Sequence, residues 1–148
     1  ADGDACLSLV MADVDGFKEI NDRFGHRFGD DALRLVASLG WQTCRQGEIV
    51  GRYGGDEFLF ILPSQSVDYA LKFGERFRQA VEKATLYAPP GHALGLTVSV
   101  GAYQCEAGRL SPPSRLIEMA DRAMYRVKSQ GGNQVATLET EPAPDRAG

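Results

Sequence analysis

Two strand-like runs, Ile49–Tyr53 and Phe58–Leu62, are separated only by Gly54-Gly55-Asp56-Glu57. A connection that short joins antiparallel neighbours with a glycine turn; parallel neighbours need a crossover of a dozen residues or more. Whatever sheet this chain builds therefore cannot be wholly parallel. Pro63 stops the second run, because proline brings no amide to a ladder. Upstream, Cys6 to Ala12 (CLSLVMA) is almost continuously apolar, the pattern of a central strand covered on both faces.

The remaining segments supply those covers. Phe17, Ile20 and Phe24 recur at helical spacing and predict a short helix ending near Gly25. Ala32, Leu35, Val36 and Leu39 predict a second helix from about Asp30 to Cys44. Val67, Ala70, Leu71, Phe77, Ala80, Val81 and Ala84 form one face of a long helix. Tyr87 to Gly91, with its Pro-Pro-Gly, reads as a loop. Leu94, Leu96, Val98 and Val100 alternate as in a strand. Pro112-Pro113 precede a helix with Leu116, Ile117, Ala120, Ala123, Met124 and Val127 on its apolar face, ended by Gly131-Gly132. Asn133–Leu138 predicts a last short strand, and Glu139–Gly148 a mobile polar tail. The expected order is β-α-α-β-β-α-β-α-β, an α/β fold with helices covering a mixed sheet.

Size and charge narrow the function classes. At 148 residues and 43% hydrophobic the chain is one domain with a real core. The formal net charge is -4, with no basic face to replace counterions around a phosphate backbone, so a nucleic-acid polymer is not an expected partner. Nucleotides stay open, since metal ions can bridge phosphates to carboxylates. No apolar run reaches membrane-spanning length and no leader pattern is present, so the domain is expected to be soluble and to face the cytosol. Cys6, Cys44 and Cys105 show no paired spacing and fit free thiols in a reducing compartment.

Asp13 and Asp15 stand where the first strand runs out, and Asp56 and Glu57 in the hairpin turn. Carboxylates so placed can converge on hard cations, and two such ions can bind a triphosphate and stabilise in-line displacement at phosphorus. Gly54 and Gly55 would let a phosphate approach the backbone. Each piece also has a plain reading: Asp15 as the cap of a helix starting at Gly16, and the glycines as ordinary turn chemistry.

Arg52-Tyr53-Gly54-Gly55-Asp56-Glu57-Phe58 resembles the signature of the GGDEF family of diguanylate cyclases. Further segments resemble the family's other motifs in order: Asp13–Asp22, Gly25–Asp30, Thr97–Gly101 and Ala120–Lys128. The resemblance covers Leu7 to Val135 and implies a palm-like nucleotide cyclase architecture, with a catalytic domain over 1–138. It implies that Asp13 and Asp56 ligate Mg²⁺ (or Mn²⁺) beside the Val14 carbonyl. Glu57 would be a further ligand or would help activate the attacking 3′-hydroxyl. Asn21 and Asp30 would bind the guanine edge. Phe17, Lys18 and Lys128 would contact the triphosphate, although the Phe17 ring reads equally well as core and Lys128 as a partner of its helix dipole. An aspartate can accept from guanine N1–H and N2–H₂, a pair adenine lacks, so Asp30 favours GTP. Two GTP molecules would become cyclic di-GMP and pyrophosphate at two half-sites of a homodimer, in a longer protein with an upstream sensor domain.

In three places the chain departs from the family. It starts just before the first strand and lacks the usual preceding D-x-L-T-G-L-x-N-R-like helix, so the domain is expected to be N-terminally incomplete. The product-inhibition motif R-x-x-D is here Arg45-Gln46-Gly47-Glu48, with Arg76 as the second arginine; read plainly, Arg45 and Glu48 are an exposed pair. An arginine often found four residues after the phosphate-binding lysine is here Gly132. The rival functions are a non-catalytic module sensing GTP or cyclic di-GMP and a partner-binding scaffold.

Overall fold

The computed structural model describes residues 6–105 and 112–138; the expected tail over 139–148 lies outside them. The first strand, β1 (Leu7–Val14), is followed by helices α1 (Phe17–Phe24) and α2 (His26–Thr43) and by the hairpin β2 (Ile49–Arg52) and β3 (Glu57–Pro63). Next come α3 (Val67–Lys83), a second hairpin of β4 (Thr85–Ala88) and β5 (His92–Gly95), then β6 (Val98–Cys105), α4 (Pro113–Ser129) and β7 (Val135–Thr137).

The main sheet runs β2-β3-β1-β6-β7, so the apolar first strand is central, as its sequence predicts. Its pairs are antiparallel except β6–β7, which is parallel. The two faces of β1 separate by parity. Val10, Ala12 and Val14 pack with residues of α1, α2 and α3, whereas Leu9 and Met11 pack with Leu116, Ala120 and Met124 of α4. On the first face Phe60 meets Phe73 and Phe77 edge-on, with centroids 5.0 and 4.9 Å apart, a geometry worth about 0.5–1.5 kcal/mol per pair beyond burial. On the second face α4 crosses directly over Gly101, where a Cβ would lie 2.2 Å from the Met124 amide nitrogen. A side chain there would lift the helix off the sheet.

Two sequence expectations need correction. The second helix starts at His26 instead of near Asp30. Gly29 looks like a breaker, yet Phe28 continues the buried face four residues before Ala32, and Gly29 is small because the Asn21 side chain lies against it. The segment Tyr87–Gly91 is not simply a loop: Pro89-Pro90-Gly91 is the turn of a hairpin pairing Ala88 with His92, closed by Gly91 N–H donating to Ala88 O at 2.6 Å. Leu94 therefore belongs to β5, and the strand read from Leu94 to Val100 is displaced to Val98–Cys105.

Candidate active site

The register of the central strands builds the site. Asp13 pairs with Glu57 across β1–β3 and with Ser99 across β1–β6. Directly opposed residues of an antiparallel pair share a face. By parity that face is the one α4 covers, so the last turn of α4 delivers Lys128 to Asp13, with Nζ 2.7 Å from Asp13 Oδ2. The Val14 amide donates to Asp56 O at 3.3 Å, which ties the hairpin turn to the end of β1. Asp13, Val14, Asp56, Glu57 and Lys128 are thus brought together from three elements.

The electrostatics follow from this crowding. Asp13 is 8% exposed, and its Oδ1 is buried without an N–H or O–H donor from the protein. Burial first, and then the adjacent Asp56 carboxylate, raise the Asp13 pKa to about 7 against the opposing pull of Lys128. The Asp56 carboxylate is thus a direct neighbour of Asp13. Burial also pushes the Glu57 carboxyl up, reinforced by Asp121 and Asp56. Burial alone would lower Lys128, but its bond to Asp13 and the charges of Asp13, Asp56 and Asp15 outweigh it and hold the ammonium protonated.

Adjacent carboxylates, one of them buried with an orphaned oxygen, suit a divalent cation. Among the described residues no three His, Cys, Asp or Glu side chains converge tightly enough to hold an ion unaided. Mg²⁺ does not require that, because it keeps several waters and takes only one or two carboxylates plus substrate phosphates.

The turn above these groups is pinned from one side. Arg52 donates through Nε and Nη2 to Gly55 O, and Tyr53 N–H donates to Glu57 O at 2.9 Å. Gly54 leaves room for the Glu57 carboxylate, 2.5 Å from where its Cβ would be. Gly55 is different: its φ is not positive and a Cβ would meet nothing within 4 Å. Packing does not demand glycine at position 55, which leaves close approach from outside as its physical use.

The remaining site candidates form two further groups. Asn21 and Asp30 lie beside Gly29 on α1 and α2; Asn21 Oδ1 is buried without a donor, and Asp30 is exposed on a cleft of about 320 Å³ formed with Leu33, Arg34, Val50 and Arg52. The Phe17 ring packs against the core, leaving its backbone amide at the start of α1, and Lys18 is exposed. Arg45, Glu48 and Arg76 gather elsewhere, around Tyr69. Glu48 accepts from the Arg45 backbone N–H at 2.7 Å and from Tyr69 Oη–H at 2.6 Å, so its carboxylate caps a turn instead of pairing with the Arg45 guanidinium. Arg76 lies over the Phe73 ring, 5.6 Å from its centroid.

Asp15 is no helix cap: α1 begins at Phe17, and its cap residue is Gly16, in the left-handed region and without a side-chain cap bond. Its carboxylate instead accepts from Thr97 Oγ1 at 2.7 Å, from Ser99 Oγ and from the Asn133 amide at 3.0 Å. Arg52, Asp121, Thr97, Ser99 and Asn133 are the site neighbours that sequence reasoning did not assign. Membership in the motif segments was the one available signal for all but Asn133, which lies outside them. The partners of Thr97, Ser99 and Asn133 are distant in sequence, whereas Arg52 bonds Gly55 three residues on.

Comparison with known proteins places this geometry in a family. The family model described as "Diguanylate cyclase, GGDEF domain" matches residues 1–134. "Diguanylate cyclase DosC" of Escherichia coli is 42% identical over 129 residues, covering 87% of this chain and 28% of that protein. "Diguanylate cyclase VdcA" of Vibrio cholerae is 38% identical over 134 residues, 89% of this chain and 39% of that protein. The chain thus spans well under half the length of these relatives. The GGDEF domain of DgcB from Caulobacter crescentus, solved in complex with c-di-GMP, superposes with a TM-score of 0.86 at 30% identity, covering 92% of this chain and 80% of that one.

Proposed function

This chain belongs to the GGDEF family of diguanylate cyclases, and from that membership we propose that it condenses two GTP molecules into cyclic di-GMP with release of pyrophosphate. The observation that carries the reading is the Asp13–Asp56 pair. It consists of a buried strand-end carboxylate, one oxygen of which has no donor, with a second carboxylate beside it and Lys128 on its other oxygen. Mg²⁺, or Mn²⁺ in its place, would be held by Asp13, Asp56 and the Val14 carbonyl with Glu57 beside them, and when bound would offset charge building at the reacting phosphate.

The chain's own residues do the rest. Lys128 and the backbone amides at Phe17 and Lys18 hold the triphosphate, with Gly54 and Gly55 leaving room for it. Asn21 and Asp30 read the guanine edge. The 3′-oxygen of one GTP forms a bond to the α-phosphorus of the other while the bond to the pyrophosphate oxygen breaks. The hydroxyl proton leaves to Glu57, a carboxylate whose affinity for a proton is raised by burial. One domain presents one such edge, so two copies must face each other, and a two-fold homodimer turns a collision into a positioned reaction. Dimerisation and an upstream sensor are assigned to parts of the protein outside this chain. No described helix is long and apolar enough to cross a membrane; as a consumer of GTP the domain would face the cytosol. Arg45, Glu48 and Arg76 form a surface for the product.

The test is to mix the domain, fused to a dimeric coiled coil, with GTP and Mg²⁺ and to follow pyrophosphate and cyclic di-GMP by chromatography. Both should accumulate, and in the unfused domain specific activity should rise with protein concentration. Tight GTP binding without pyrophosphate release in the dimer would replace this reading with that of a sensing module.

A further inference from the structure

The strand-end carboxylate that is not offered to a cation is the more informative one. Both oxygens of Asp15 are engaged: Oδ2 accepts from Thr97 Oγ1 and Asn133 N–H, and Oδ1 accepts from Ser99 Oγ. Asn133 lies 118 residues further along the chain, just beyond α4. The helix end between them is wound tightly. Gly132 N–H donates to Val127 O at 2.9 Å and Gly131 N–H to Lys128 O at 3.2 Å, the paired closure of a Schellman motif. Gly131, Gly132 and Asn133 all have positive φ, of 108°, 78° and 53°. Gly132 lies against Asp15 so closely that a Cβ would be 2.9 Å from Oδ2.

Asn133 is held from its other side too. Its Oδ1 accepts from Arg78 Nη1 at 2.9 Å and its Nδ2 donates to Glu82 at 2.7 Å, while Arg78 is bound by Glu75. The end of α4 is therefore clasped between α3 and the end of β1. Lys128 is in that last helical turn, and its ammonium reaches Asp13, two residues before Asp15.

We propose that Asp15 is a positioning residue, latching the C-terminal end of α4 to the end of β1 so that Lys128 stands over Asp13, and that this latch sets affinity for the triphosphate part of the nucleotide. The affinity half rests on the GTP reading above; the latch itself rests on the hydrogen bonds alone. Asp15 acts here through geometry and not through charge on a metal. An asparagine could keep the latch, its oxygen accepting from Thr97 and Asn133 and its amide donating to the Ser99 hydroxyl, which can turn to accept. An alanine could not.

Calorimetry with GTP and with GMP, on the parent and on Asp15→Ala, Asp15→Asn and Lys128→Met, separates the possibilities. Asp15→Ala should weaken GTP about tenfold, the scale of one charge-assisted bond, and leave GMP within about twofold. Asp15→Asn should keep GTP affinity within about threefold of the parent. Adding Lys128→Met to Asp15→Ala should cost little more, because one pathway is broken twice. Equal loss of GTP and GMP, an asparagine as damaging as alanine, or losses that add would each overturn the proposal. If Asp15→Ala does not fold, Thr97→Val with Ser99→Ala removes two of the three donors and carries the same expectation for GTP against GMP. Hydrogen exchange needs no ligand: amides 131–133 should lose protection in Asp15→Ala while the middle of α4 keeps its own. Unchanged exchange there would overturn the latch, whereas a parent that binds neither nucleotide would refute the GTP reading and with it the affinity claim.

Discussion

Two charged regions of this domain are built in opposite ways. At the carboxylate edge Asp13, Asp56, Glu57 and Lys128 come from β1, a hairpin turn and the end of α4, and Asp13 is 8% exposed. At the Arg45 surface the groups are close in sequence or one helix away: Arg45 and Glu48 share a turn, and Tyr69 is 21 residues from Glu48. The first region pays for desolvation with a raised carboxyl pKa; the second keeps Arg45 in water, where screening weakens each interaction. A single charge should therefore count for orders of magnitude at the edge and for small factors at the surface.

The largest effect should come from Asp13→Asn or Asp56→Asn, each lowering turnover roughly a thousandfold with the fold intact, as removal of one well-placed electrostatic group does. Near-parental rates in both would end the metal assignment. The same Asp13 variant has a stability signature. In the unfolded chain this carboxyl titrates near the ordinary value of about 3.9, but folded and metal-free it titrates at about 7. The folded state thus binds more protons between those values, and its stability falls as pH rises from about 4 to about 7. Melts in chelator at pH 5 and pH 8 should show that loss in the parent and a smaller loss in Asp13→Asn.

Next in size is Gly101→Ala, which breaks the edge without touching a charge. Its Cβ would overlap the Met124 amide, so α4 must lift, at about 1–3 kcal/mol of stability and several degrees of melting temperature. GTP affinity should fall with it, because Lys128 rides on α4, while product affinity at the Arg45 surface should not. Equal loss at both would show that the two regions are not independent.

Smaller again is Gly132→Arg. The resemblance suggests that an arginine here would add a phosphate contact, but the left-handed backbone and the adjoining Asp15 make the position strained. The substitution should cost about 1 kcal/mol of stability and bring no gain in GTP affinity; a lower KM would show that Asp15 yields readily.

The smallest effect is expected at the open surface. Glu48→Asp keeps a carboxylate near the Arg45 amide but withdraws it from Tyr69, reducing repulsion toward the product phosphates. Cyclic di-GMP should bind a few-fold tighter by calorimetry, in line with about 1 kcal/mol or less for an exposed charge. Identical affinities would make the departure from R-x-x-D inconsequential.

Residue pattern alone determined the layers of this fold. The CLSLVMA run supplies most of a central strand covered on both faces, and the Gly54–Glu57 connection excluded a wholly parallel sheet by its length. The metal-side candidates were legible because turn glycines and strand-end carboxylates are local signals. The β4–β5 hairpin was not, since Pro-Pro-Gly suits a loop and a hairpin turn alike and only the pairing of Thr85–Ala88 with His92–Gly95 distinguishes them. Nor was the start of α2 legible, where Gly29 serves Asn21 of another helix. Residue pattern left the two strand-end aspartates equivalent; the resemblance singled out Asp13, and the tertiary structure supplies the physical difference between them. Asp13 and Asp15 are two residues apart and both end the same strand. One faces Asp56 and a lysine from α4, and the other is saturated by Thr97, Ser99 and Asn133. A carboxylate's role is set by the donors that reach it, and here they arrive from 82 to 118 residues away in sequence, a distance over which local pattern carries no information.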